Sequence, residues 1–577
     1  MKTLSHILIV LSLVATVSCT KNRGTNDDTP AVVERMEQMV IDQDFDWSAG
    51  LKGDLNVSFE NLFNASLDRE YAAIVTENNQ VVARKQVLNG TVQFKLNLPH
   101  DSKYYVYFRV TEDKMLITRT GDVIMELGPT ATNDTKSYKS TSEVTSCTSC
   151  DSPIENPGGE LPYLNSNYRI YKESDVPGWE TTASDGKIEI WVDGFQGVRA
   201  QEGRQFFELN ANKVAALYQE LCLEPGSTIT WSVYHRGRSG VDVADVRIGA
   251  SVESAEVVDI MTDGKTAWGY YSGSYTVPVD QETTFFVFNS ISSAGGSQSV
   301  GNFLDNFEIA CDFDGDGISD EDDDSPENPN VSFVSYFPSS GKQVVAFEDL
   351  WPNKGDYDFN DLVLSNQVKF NKAQDFDLLS AEFTISIDAI GAGLDNGFGM
   401  MLYDVNGQAF GEDIIESISG DATLDSDNAN GIIISEDVFE TINERYQNNG
   451  IGITATPDTV RFTVAFKQGV QEVTPELYLF RTDIRSHEVH RSEFPGTAMA
   501  DATLFNTEDD NGNYKTTTGL PWGIEILTDG VFKNPKEKVD ILIAYPEFQL
   551  WATSAGTQNQ TWYTHPVESN VVNIPSK

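Results

Sequence analysis

The chain is 577 residues long, room for three to four domains, and it carries 88 acidic against 40 basic side chains, a formal net charge of −48. Such a field repels nucleic acid and anionic lipid headgroups and attracts divalent cations. Hydrophobic residues at 40% and aromatics at 11% are enough for packed cores, which excludes a disordered acidic tail.

The N-terminus sets the compartment. Met1-Lys2, the apolar run Leu4 to Val17 and then Ser18-Cys19 have the layout of a signal peptide, too short and too early to span a bilayer. Small Ser18 before Cys19 resembles a bacterial lipobox, although Thr16 stands where Leu is usual. The polar run Thr20 to Asp28 follows as a tether. The mature protein is therefore expected to begin at a lipid-modified Cys19, with the anchor as its only membrane contact. Four other cysteines fit an oxidising compartment: Cys147, Cys150, Cys222 and Cys311. Cys222 and Cys311 flank one domain and are expected to bridge, with Cys147 and Cys150 as a second pair. Cys147-Thr-Ser-Cys150 has redox spacing but lies in a Ser/Thr-rich linker, which argues against a catalytic dithiol.

Along the chain, period-two segments rich in Val, Ile, Tyr and Phe dominate. Residues 72–76, 92–96, 104–108, 187–191 and 461–466 read as half-buried strands. Short helices are expected only at 31–41 and 436–447. The fold class is all-β, a multidomain string of β-sandwiches. The division is a signal peptide 1–19, a tether 20–43, a small Ig-like sandwich 44–128 and a Ser/Thr-rich linker 129–160. A jelly roll 161–311, an acidic loop 312–330 and a large β-rich C-terminal domain 331–577 follow.

The acidic loop carries the strongest motif. Asp312, Asp314, Asp316, Asp320 and Asp323 occupy positions 1, 3, 5, 9 and 12 of a twelve-residue loop, with Gly317 at the sharp turn and the Ile318 carbonyl at position 7. Hard oxygen ligands at this spacing point to Ca²⁺. Asp323 is one methylene shorter than the usual bidentate Glu, which weakens the site or moves it towards Mg²⁺. Ser325-Pro326 blocks a following helix, so the loop resembles thrombospondin type 3 calcium repeats and not a helix-loop-helix sensor. A second, weaker metal cluster is expected at Asp349, Asp356, Asp358, Asn360 and Asp361, with Glu348 able to return to the same cation.

The stretch Ala346-Phe-Glu-Asp-Leu-Trp-Pro-Asn-Lys-Gly-Asp-Tyr-Asp-Phe-Asn-Asp-Leu-Val363 resembles the LruC-domain lipoproteins of Bacteroides-type bacteria. Arg491, Phe494-Pro-Gly-Thr497, Leu520-Pro-Trp-Gly-Ile-Glu525, Glu537-Lys-Val-Asp540, Ala544-Tyr-Pro-Glu-Phe548, Trp551 and Trp562-Tyr563 extend the likeness over about 331–570. The resemblance implies a β-rich envelope lipoprotein of the outer membrane, exposed at the surface, and implies no known reaction. Residues 161–311 resemble a galactose-binding-like jelly roll through Glu208-Leu-Asn210, His235-Arg-Gly-Arg238, Tyr275-Thr-Val-Pro278 and Gly301-Asn-Phe-Leu-Asp305. Such modules often bind glycans by stacking rings on sugar faces. Trp191, Trp231, Tyr234, Trp268 and Tyr270 are the candidate contacts, with core packing as the plain alternative. Trp231 and Tyr234 differ in strand parity, so at most one need be core.

Catalytic signatures are lacking. His487-Glu-Val-His490 has i, i+3 spacing where a zinc-protease helix needs i, i+4, and Arg485 and Arg491 flank it. No Gly-x-Ser-x-Gly elbow occurs. Chance carboxylate pairs are inevitable among 88 acids, so none is informative. The expected function is a calcium-stabilised surface binding or adhesion protein for glycan or an extracellular protein, and not an enzyme. The alternative is a glycan-processing enzyme whose carboxylates sequence does not reveal.

Overall fold

The computed structural model describes residues 33–61, 71–108, 113–127, 150 and 154–575. Cys19, Cys147 and the signal segment lie outside the described residues. All five strands expected from period-two alternation are present, as Tyr71–Thr76, Thr91–Leu98, Tyr104–Phe108, Lys187–Val192 and Asp458–Phe466. The two expected helices shrink to a 3-10 turn at Met36–Gln38 and one α-turn at Val438–Thr441. The second keeps only two i to i+4 bonds, from the Thr441 and Ile442 amides to the Asp437 and Val438 carbonyls, while Met36, Met39 and Val438 are spent on buried cores. No helix among the described residues is long and apolar enough to cross a membrane.

Three sandwiches follow one another. In the first, a three-stranded sheet (Thr91–Leu98, Leu51–Asn61, Gly121–Leu127) faces a four-stranded one (Val81–Gln86, Tyr71–Thr76, Tyr104–Phe108, Asp113–Leu116). Alternate residues such as Leu55, Val57, Phe94, Leu96 and Val106 fill the space between them. In the second, a six-stranded sheet packs on a five-stranded sheet around Trp179, Phe207, Trp231, Phe286, Phe288 and Phe307. In the third, an eight-stranded sheet covers a five-stranded one across a core that includes Phe383, Phe398, Leu477 and Trp522.

The N-terminal tether ends earlier than expected. Met36, Met39, Ile41, Phe45 and Trp47 are buried against Phe548, Trp551 and Trp562 of the C-terminal domain. Ser48–Ala49 then pairs in parallel with Gly523–Thr528 at the edge of the large sheet. The chain thus docks onto its own C-terminal domain before entering the first sandwich at Leu51. The linker is also shorter: Ile154 and Asn156 are buried, and the Asn156 carbonyl accepts from the Trp179 indole at 3.0 Å.

The C-terminal motif residues Arg491 and Glu525 form an ion pair at 2.8 Å inside the protein, and Lys52 reaches the same carboxylate at 2.7 Å. Against the penalty of burial, Arg491 and Lys52 hold the Glu525 carboxyl well below the usual range. Both ring nitrogens of His490 face carboxylates. It sits fully buried between Glu476 and Glu488, each 3.1 Å from one ring nitrogen.

Candidate functional site

The acidic loop leaves the last jelly-roll strand, Phe303–Cys311, and curls back on it. Asp312 is fully buried and accepts the amides of Gly315 and Gly317, at 2.8 and 3.2 Å. Gly317 has φ +96°, the conformation that position six of the loop demands. Carboxylate oxygens of Asp312, Asp314 and Asp316 lie within 4.8 Å of one another. Burial first, then Asp316 and Asp314, push the Asp323 carboxyl up to about 6. Burial likewise raises Asp312. Asp314 Oδ2 is buried without a hydrogen-bond partner. Crowded hard oxygens with one orphaned lone-pair donor fit a divalent cation such as Ca²⁺. Asp320 is turned to the Phe313 amide at 2.7 Å, and Ile318 donates its own amide to Asp316 at 2.8 Å.

The loop touches all three sandwiches. The Asp312 amide donates to Thr228 O of the jelly roll at 3.1 Å. Ser332, entering the C-terminal domain, donates to Asp316. Arg84 of the first sandwich donates to the Asp322 carbonyl and lies 3.7 Å from the Asp324 carboxylate. This third contact carried no sequence signal, since a lone Arg on a strand is an ordinary surface residue.

Disulfide pairing corrects the sequence reading. Cys311 bonds Cys150, with Cα atoms 5.4 Å apart, and not Cys222. Cys222 is itself disulfide-bonded, and Cys150 is not paired with Cys147. The bridge pins the start of the jelly roll to the strand that enters the acidic loop.

The candidate rings divide between the two faces of the six-stranded sheet. Trp231, 2% exposed, points inward and is core. Trp191, 1% exposed, lies on the outer face but is sealed with Phe206 and Phe303 beneath Phe195, Val198 and Ala200. Both are corrected as glycan contacts. Glu189 and Glu208 oppose each other beside Trp191, and Arg238 donates to both Glu208 oxygens, at 2.7 and 2.9 Å. Burial and then Glu189 raise the Glu208 carboxyl to about 8.

Further along the outer face Ser272, Ser274 and Glu308 are exposed, whereas Tyr234, 8% exposed, and Ser232 are buried. Tyr234 pairs with Tyr270 across neighbouring strands, ring centroids 5.0 Å apart. Tyr270 and Trp268 are half-buried, and Trp268 donates to the Arg199 carbonyl at 2.9 Å. From the tyrosines a polar lane runs along the sheet through Ser232, Glu308, Ser272 and Ser274. Ser274 Oγ ends it 3.5 Å from Asp312. A ring pair at one end, hydroxyls along the floor and an acidic loop at the other end can stack a sugar face and hydrogen-bond its hydroxyls.

The second acidic cluster is only partly the expected one. Asp361 accepts the Asp349 amide at 2.9 Å, and Asn396 donates to Asp349 at 2.9 Å. The Asn360 amide is spent on the Pro535 carbonyl at 3.1 Å. Asp356 and Asp358 are joined by Glu348, as expected, and not by Asp349 or Asp361.

The architecture is that of an all-β, multi-sandwich protein with a jelly-roll module at its centre. A family model described as a domain of unknown function, DUF4842, matches residues 377–563. No curated protein matches the chain. Among solved structures, a presumed lipoprotein from Bacteroides ovatus is similar at 16% identity, covering 59% of this chain and all 100% of its own, with TM-score 0.31. The C-terminal family 22 carbohydrate-binding module of Clostridium thermocellum Xyn10B is similar at 17% identity over 24% of this chain and 88% of its own, TM-score 0.19. The second family 22 xylan-binding domain of Paenibacillus barcinonensis Xyn10C is similar at 12% over 25% and 98%, TM-score 0.19. At these identities and scores the likenesses carry no information on ligand or location.

Proposed function

We propose that this chain is an envelope lipoprotein, anchored at Cys19, whose jelly-roll module binds glycan on the lane from Trp268 and Tyr270 through Ser272, Glu308 and Ser274 to the acidic loop. The observation that carries the reading is the half-buried rings of Tyr270 and Trp268 beside the exposed hydroxyls of Ser272 and Ser274 on one sheet face. Aromatic rings supply stacking area and the neighbouring polar groups supply direction. Ca²⁺ at Asp312, Asp314 and Asp316 has a structural role in this reading. It neutralises like charges that otherwise repel, and so fixes the loop against Thr228, Ser332 and Arg84. The carboxylates nearest the sealed rings, Glu189 and Glu208, are buried and out of a substrate's reach, which favours binding over hydrolysis.

A glycan array probed with the secreted chain, with calcium and with chelator, tests the reading. Positive glycans are expected, with signal about tenfold weaker for Tyr270→Ala, the loss of one aromatic contact of about 1.4 kcal/mol. A blank array, or signal that Tyr270→Ala and Trp268→Ala leave unchanged, refutes the lane as the binding face.

A further inference from the structure

Glu348 is among the most buried carboxylates of the chain, 1% exposed, at the end of the strand Lys342–Phe347. Its Oε1 accepts the Phe359 amide at 2.8 Å. Its Oε2 is buried and has no hydrogen-bond partner. That oxygen occupies the space a side chain at position 355 would need: a Cβ on Gly355 would stand 1.5 Å from it. Gly355 therefore lets the backbone leading into Asp356 close over Glu348.

Around this orphaned oxygen the charges are of one sign. Glu348, Asp356 and Asp358 bring carboxylate oxygens within 4.8 Å of one another. Asp358 is 2% exposed and accepts the Asn360 and Lys538 amides at 3.2 and 2.7 Å. Burial first, then Asp361 and Asp358, raise the Glu348 carboxyl well above its ordinary value. A buried carboxylate oxygen without a donor is unfavourable unless something positive meets it.

We infer that Glu348, Asp356 and Asp358 hold a divalent cation of the Ca²⁺ class, at a site separate from the acidic loop and built on a different domain. The donor set is all hard oxygen, and the loop that supplies it is fixed on both sides by protein. Through the Lys538 amide on Asp358, the ion tethers the 348–361 loop to the segment that leads to Asp540. Asp540 in turn accepts the Met36 amide at 2.8 Å, so the site lies behind the docking of the N-terminal segment.

Calorimetric titration of the chelator-stripped, full secreted chain with Ca²⁺, in about 0.15 M salt to screen diffuse binding, gives the first test. One ion should be lost in Glu348→Gln with Asp358→Asn, and a different one in Asp314→Asn with Asp316→Asn. Retention of the full stoichiometry by the Glu348 and Asp358 variant overturns the site. Should that variant fail to fold, crystals of the unaltered chain soaked in Tb³⁺ decide the matter. An anomalous peak between Glu348, Asp356 and Asp358 supports the site, and its absence there overturns it. Glycan binding and the acidic loop are read by other variants, so their failure is distinguishable from failure here.

Discussion

Replacing Trp47 by Ala should destabilise the C-terminal domain, although Trp47 lies 286 positions before that domain's first strand residue, Phe333. The Trp47 ring is 2% exposed and packs on Phe45, Phe548 and Trp551 at centroid distances of 4.9, 5.8 and 6.0 Å. Its Nε1 donates to the Gly519 carbonyl at 3.0 Å, and its own carbonyl accepts the Glu525 amide at 3.0 Å. Emptying a buried Trp site costs about 3–5 kcal/mol, and leaving Gly519 unpaired adds about 1 kcal/mol. Against a whole-domain stability of about 5–15 kcal/mol, the loss is large. Urea unfolding followed by far-UV circular dichroism should show a lower midpoint. Hydrogen exchange should locate the loss at Glu525 and Ile526, the residues paired with Ser48 and Ala49. An unchanged midpoint with undiminished protection at Glu525 would refute the docking and restore a simple tether.

Glu476 and Glu488, working against burial, hold His490 at about 9 in place of 6.5. A raised histidine contributes stability that is whole below about pH 6.5 and is lost as pH rises through 9. The effect is on the order of 3 kcal/mol. The thermal midpoint should therefore fall between pH 7 and 10 by more in the unaltered chain than in His490→Gln, and equal slopes would sink the assignment. The Cys150–Cys311 bridge closes a separation of 161 residues, worth roughly 5 kcal/mol at most in the chain-entropy model. A non-reducing peptide map should yield the linked Cys150 and Cys311 peptides, and a Cys222–Cys311 peptide would contradict it.

Period-two alternation placed five of the strands, because the two faces of a half-buried strand are written in adjacent residues, whereas strands buried on both faces, such as Asn396–Tyr403, carry no such pattern. Asp312, Asp314 and Asp316 were legible for the same reason: their spacing along one loop is their spacing around one point. Parity also separated Trp231 from Tyr234, and the structure puts the first inside and the second on the outer face. What tertiary structure decided was which surfaces meet. Trp191 shares the outer face with Tyr234, yet it is sealed by a segment, 195–200, whose folding-over no local pattern announces. Glu348 and Asp349 are neighbours of the same charge. Only the closure of Gly355 over Glu348, and of Asn396 on Asp349, assigns one to Asp356 and Asp358 and the other to Asp361. The partner of Cys311 and the docking of Trp47 were hidden likewise. Each depends on contacts across more than a hundred residues, where burial of apolar area and closure of the chain choose the neighbour and sequence spacing does not.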